Sequence, residues 1–330
     1  PSGGVGTEWH NTTSGEVYIC TDATAGENVW TNVGAGTGDV QPFAFQGTQY
    51  GFCTHGNNPT VNKIQKYSYT SDANATDVAD LTNSLMGSSG GRSQDYGYAA
   101  GGEPSIDVIN KYAFVGGTDA VDIGNLTQGR AMWGGNGSSS GDAVYWHGGE
   151  YGSTKANIID KRVTASDGDA TDVGNLTTGK HSAAGASSST HGYAFGGNDG
   201  GYADTIERYA FASDGDSVDT TQNLYEGSRL PFGSNSTTNI YASGGHTGSY
   251  SQNITKFAIN SSANAVDIGN LSIGGTGNGA GTSSTTYGYC HGGYPNYRNT
   301  IEKFSFSTDG NATDIADLAD GVSSCSGSQH

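Results

Sequence analysis

The sequence predicts an all-β fold assembled from six copies of one four-stranded unit, and three observations carry that prediction. One aromatic strand recurs as YGFCTHG, YGYAAGG, VYWHGG, HGYAFGG, IYASGG and YGYCHGG, which places Phe52, Tyr98, Tyr145, Tyr193, Tyr241 and Tyr289 46–48 residues apart. A fixed period of this length marks a repeat architecture. Each copy is followed by the same succession: a second strand (KIQKYSY, VINKYAF, IIDKRVT, TIERYAF, NITKFAI, TIEKFSF), then a third (ATDVADL, AVDIGNL, ATDVGNL, SVDTTQNL, AVDIGNL, ATDIADL). A small-residue strand such as HSAAGASSS then leads into the next copy. Helical periodicity is absent, and the 55 glycines follow no G-X-Y period, so they read as residues of many tight turns. Four short strands of alternating polarity between turn residues make one blade of a β-propeller.

In chain order, residues 1–40 fall outside the repeat. Strand-like pieces around Trp9, Val17–Cys20 and Val29–Val33 predict a small β-meander, too small to be stable by itself. Residues 41–330 hold the repeats. The terminal GVSSCSGSQH corresponds to the strand that precedes the aromatic one elsewhere (compare GSSGGRSQD before Tyr96). The C-terminus is therefore expected to supply the missing strand of the first blade and close a six-bladed ring, removing exposed sheet edges. A seven-bladed ring with part of the chain missing is the alternative.

A glycine pair after one strand, an aromatic in the next and a period near fifty residues resemble kelch repeats. The resemblance spans roughly residues 43–330; it implies the propeller fold and almost nothing about activity. The tryptophan common in the fourth strand of that family is absent. The leader, GTEWHNTTSGEVYICTDATAGENVWTNVG, resembles a short module of tail-fibre-like and other structural proteins of tailed bacteriophages, especially cyanophages. That resemblance implies a virion location, with residues 1–40 connecting the propeller to other virion or fibre subunits. A fibre context further implies a homo-oligomer.

Charge and composition narrow the partners. Acidic residues outnumber basic ones 32 to 14, a net charge of −18 that repels phosphate backbones, so nucleic acid is an unexpected partner. No run approaches the roughly 18 apolar residues of a membrane span. The sequence starts at Pro1 without a visible signal peptide, which predicts a processed chain or a piece of a longer one. Cys20, Cys53, Cys290 and Cys325 lack metal-type spacing and read as free buried thiols.

A search for chemistry leaves recognition as the expected activity, with no catalytic, cofactor or metal residue assigned. His147 and His291 share a column, but Thr54, Ala100, Phe195 and Ser243 share it too, so the column reads as packing. The acidic turns (SDANATD, ASDGDATD, ASDGDSVD, STDGNATD) could ligate Ca²⁺, although Asp-Gly is equally a hairpin turn. A Lys or Arg precedes an Asp by eleven positions in every copy (Lys66/Asp77, Lys111/Asp122, Lys161/Asp172, Arg208/Asp219, Lys256/Asp267, Lys303/Asp314), which predicts cross-strand ion pairs. The loops after the glycine pairs vary and carry Tyr151, Tyr202, Tyr250, Tyr294, Tyr297 and Arg298, with Tyr225 and Arg229 between the fourth and fifth copies. Such tyrosines offer contact area at low entropic cost and stack on sugar faces. The expected function is a non-enzymatic phage fibre or adhesin that recognises a host surface glycan or protein through these loops. A purely structural virion protein and a carbohydrate-active enzyme with its site at the propeller axis are the alternatives.

Overall fold

The computed structural model describes residues 3–12, 15–24, 26, 28–33, 43–57, 60–133 and 135–330. Among them every regular element is a β-strand. The chain divides into two compact units, Pro1–Ala44 and Phe45–His330. The boundary expected between residues 40 and 41 lies outside the described residues.

The first unit is a three-stranded antiparallel meander of Glu8–His10, Val17–Asp22 and Val29–Asn32. Trp9 pairs with Tyr18 across the strands, their ring centroids 5.2 Å apart.

In the second unit each repeat forms an antiparallel sheet. The fourth is representative: an inner strand Ala184–Ser187, then His191–Phe195, Thr205–Ala210 and an outer strand Val218–Asn223, paired in that order. The first repeat takes its inner strand from the C-terminus, with Ser326 opposite Thr54 and Gln329 opposite Gly51. The third is interrupted. Gly135–Asn136 pairs in parallel with Ser89–Arg92 of the second repeat, and only Ser138–Ser139 pairs within its own sheet. Trp146 stands at this position, where Ala99, Ala194 and Ala242 stand in neighbouring repeats, and its indole donates to the Ser89 carbonyl (3.1 Å).

Contacts between repeats run in circuits that pass through all six and return to the first. At one end, Gly87 N–H donates to Ser324 O, Met132 to Gly87, Ser182 to Met132, Leu230 to Ser182, Asn278 to Leu230 and Ser324 to Asn278. At the outer strands, the Asn or Asp side chain of each turn (Asn74, Asp119, Asp169, Asp216, Asn264, Asn311) accepts from a backbone N–H of the preceding repeat at 2.9–3.0 Å. Between the inner strands, Gly90, Gly137, Gly185, Gly233, Gly281 and Gly327 come so close that a Cβ on each would meet a carbonyl oxygen of a neighbouring inner strand.

The ion pairs differ from those expected. Lys161 lies opposite Thr171 while Asp172 lies opposite Asp160, and the other repeats have the same offset, so the predicted partners sit on opposite faces of the sheet. Four of the five lysines reach instead to a turn aspartate of the next repeat: Lys111 to Asp167, Lys161 to Asp214, Lys256 to Asp309 and, from the sixth repeat to the first, Lys303 to Asp72. Because the aspartates are about half exposed, each pair contributes at most about 1 kcal/mol. The acidic turns are thus occupied in clamping one repeat to the last.

One buried column shows how differently the repeats solve the same packing problem. Gln65, Asn110, Asp160, Glu207 and Glu302 each accept a backbone N–H from the preceding repeat. Asp160 and Glu207 also meet a buried cation, Arg130 (2.8 Å) and Lys180 (2.6 Å). Glu302 is buried too, and its hydrogen bonds come from the Ser272 N–H and hydroxyl. Burial raises its carboxyl above the ordinary value, although the Ser272 hydrogen bonds pull the other way. A raised folded-state pKa means a proton is held more tightly in the folded chain; this stabilisation is complete below the unfolded-state pKa and lost as pH rises through the folded one. Glu302→Gln, which reproduces Gln65 of the first repeat, is therefore expected to raise Tm at pH 7 and to leave it nearly unchanged below about pH 4. Thermal melts at the two pH values check this.

Candidate functional site

The loops that follow the glycine pairs are fixed at their roots. The first residue after each pair bonds to the connector between repeats: Asn57 with Ser323, Glu103 with Met86, Glu150 with Ala131, Asn198 with His181, His246 with Arg229 and Tyr294 with Gly277. The loops then lie directly on connector glycines. A Cβ at Gly227, Gly275 or Gly321 would strike the carbonyl of Tyr202, Tyr250 or Tyr297 respectively. Backbone packing of this kind holds the tyrosines in place without using their rings.

The rings form a continuous run across the fourth, fifth and sixth repeats. Tyr202 lies 5.4 Å from His246, His246 4.9 Å from Tyr250, Tyr250 5.5 Å from Tyr294, and Tyr294 5.7 Å from Tyr297. The Arg229 guanidinium sits 5.6 Å over the Tyr202 ring. Burial, and then Arg229, lower the pKa of His246, so this imidazole is neutral near pH 7. Tyr202 and Tyr294 remain 43% and 39% exposed, which leaves ring faces free for a partner.

The run descends into an open depression of about 260 Å³ bordered by Asn57, Met86, Trp133, Tyr250, Asn278, Tyr294, Tyr297, Ser323 and Ser324. Asn278 and Ser324 of the hydrogen-bonded connector circuit border it in left-handed backbone conformations (φ 63° and 57°), and Trp133, which follows the circuit residue Met132, is left-handed too (φ 54°). Asn278 donates to the Ser324 hydroxyl (2.8 Å), and its buried Oδ1 has no hydrogen-bond partner. Among the described residues the lining offers stacking rings, amides and hydroxyls, and no Asp, Glu, His or Cys.

Asn136 is buried among the inner strands. It donates to Gly281 O and accepts from Gly327 N–H (3.1 Å), and thus ties the third repeat to the sixth and first.

Of the residues expected to bind, Tyr202, Tyr250, Tyr294, Tyr297 and Arg229 are brought together. Tyr151, on the small hairpin of Glu150–Tyr151 and Thr154–Lys155, and Tyr225 are exposed outside this run. Arg298 serves its own loop, donating from its backbone to Gly293 O (2.9 Å) and from its side chain to Gly275 O (3.4 Å). Trp133, His246, Asn57 and Asn278 were not foreseen. Two of them follow from the repeat columns: Asn57 and His246 share the loop-root position with Tyr294.

The two column histidines occupy equivalent but separate places. His147 bonds to Tyr209 (3.3 Å) and His291 to Tyr67 (3.1 Å), each buried between its own repeat and the next. Burial pushes them down to about 4 and about 3, so both are neutral. All four cysteines are free and buried. Comparison with models of known protein families and with curated proteins finds no match to this chain.

Proposed function

We propose that this chain is a non-enzymatic recognition protein whose six repeats close into a six-bladed kelch-like propeller and whose aromatic depression binds a surface glycan. The three circuits of inter-repeat contacts support the six-bladed reading over a seven-bladed one, because each passes from the sixth repeat to the first with the bonding found elsewhere. The observation that carries the function is the aromatic run ending in a depression lined by amides and hydroxyls. Pyranose rings present C–H faces that stack on such side chains and hydroxyls that bond to amides and hydroxyls like those of the lining. The depression is smaller than the roughly 300–1,000 Å³ of sites that engulf a small molecule, which suits the end or the edge of a longer chain of sugars. With the leader's resemblance to phage structural modules, this reading makes the protein a virion-borne adhesin for a host surface glycan, carried on other virion subunits through residues 1–40.

Binding of the isolated chain to a glycan array and to candidate host cells tests the proposal. Trp133→Ala, Tyr250→Ala and Tyr294→Ala are each expected to weaken binding roughly tenfold or more, equivalent to about 1.4 kcal/mol. Tyr151→Ala and Tyr225→Ala should bind as the wild type does. No binding by the folded wild-type chain, or equal binding by Tyr294→Ala, defeats the reading.

A further inference from the structure

The seam between the sixth and first repeats holds a group of side chains that the recognition site does not use. Cys53 comes from the second strand of the first repeat (Tyr50–Thr54), His291 ends the strand Tyr287–His291, and Cys325 immediately precedes the C-terminal strand Ser326–Gln329. Their ligand atoms all lie within 4.8 Å of one another, and the three residues are 0%, 1% and 1% exposed. His291 Nδ1 is paired with the Tyr67 hydroxyl (3.1 Å), which is itself held by the Thr282 hydroxyl (2.6 Å). Its other nitrogen, Nε2, is buried and has no hydrogen-bond partner.

That combination is how a metal-binding histidine is prepared: one ring nitrogen fixed by an oxygen, the other left with nothing but the ligands to meet. A buried nitrogen without a partner otherwise costs free energy, so the arrangement needs an explanation. The repeats supply an internal control. Between the third and fourth repeats His147 is likewise bonded to a tyrosine, Tyr209, but the positions of Cys53 and Cys325 are filled by Ala194 and Ala183. Two cysteines accompany the histidine only where the chain's last strand joins its first repeat.

We propose that Cys53, His291 and Cys325 bind one thiophilic metal ion, Zn²⁺ or Cu⁺, that staples the C-terminal strand to the first and sixth repeats. Two sulfurs and an imidazole are the donors such ions select, whereas Mg²⁺ and Ca²⁺ require oxygen. Binding forms two metal–sulfur bonds and one metal–nitrogen bond and releases both thiol protons to solvent. The ion stabilises the folded chain by mass action, because the unfolded chain does not hold the three donors together.

The metal content of the full chain decides this. It is purified from cultures supplemented with zinc or with copper, desalted, and examined by elemental analysis, thiol titration and thermal melting with and without chelator. The expected result is one equivalent of zinc or copper in the wild type and in the control variants Cys20→Ser and Cys290→Ser. In Cys53→Ser, Cys325→Ser and His291→Gln that equivalent should be lost while far-UV circular dichroism is retained. Chelator should lower Tm by several degrees in the wild type and leave it unchanged in the three ligand variants. Wild-type protein without stoichiometric zinc or copper, one equivalent retained in Cys325→Ser, or a Cys53–Cys325 disulfide found by thiol titration in metal-free protein would each overturn the proposal.

Discussion

Asp160→Asn is expected to destabilise the protein by about 3–5 kcal/mol, the cost of leaving a buried charge without its counter-ion. Arg130 and Asp160 are both fully buried, 2.8 Å apart. The guanidinium is otherwise held only by the carbonyls of Gly148, Gln128 and Trp146, none of which neutralises it. Thr127 donates its N–H and its hydroxyl to different oxygens of Asp160, but at the equivalent junction the single amide oxygen of Asn110 accepts both from Thr82, so asparagine can retain these bonds and the loss is chiefly that of the charge. The repeats also indicate how the loss is recovered. At the same two positions the second repeat has Leu85 and Asn110, a neutral pair at the same junction. Arg130→Leu combined with Asp160→Asn reproduces that pair and should restore most of the stability, giving a large favourable coupling in a double-mutant cycle. Denaturant unfolding of the two single variants and the double variant measures it. If the double variant is as unstable as the sum of the singles, the two junctions are not interchangeable.

The same comparison between repeats explains what could be read from the sequence. A strand's side chains alternate between faces and its period is short, so six in-phase copies located the strands, and the C-terminal segment's phase indicated its pairing with residues 51–54. Register was harder. The eleven-residue spacing of Lys and Asp suggested direct pairs, but the lysine's partner is ten residues away, and a bulge follows in the outer strand. A one-residue offset places a side chain on the other face, so the lysines found acids in the next repeat. At the site, the variable tyrosine-bearing loops were legible because they depart from the repeat. Trp133 and Asn278 were not, because they line the depression from connectors that are distant in sequence and meet only in the folded chain. Cys53, His291 and Cys325 were invisible for a related reason: metal-ligand spacing is sought along the chain, while here 238 and 34 residues separate successive members, as their numbers give (291 − 53 and 325 − 291).

Gly281→Ala tests the centre on which that convergence depends. The inner strands approach so closely that the new methyl group would stand against the backbone of Gly233. A side chain in the way could rotate aside, but a carbonyl on the neighbouring inner strand moves only if that strand moves. Displacement then passes to Gly233, whose own Cβ position stands against the Gly185 carbonyl in the same way. Overpacking a core typically costs about 1–3 kcal/mol, and a clash with the backbone of a neighbouring inner strand belongs at or above the upper end of that range. Gly310→Ala is the matched control. Nothing lies within 4 Å of a Cβ there, so its effect should stay within about 0.5 kcal/mol. Urea midpoints at constant m-value separate the two. An effect as small as that of Gly310→Ala would mean that the inner strands can part at little cost, and a depression to which four connectors contribute could not then hold its rings in fixed positions.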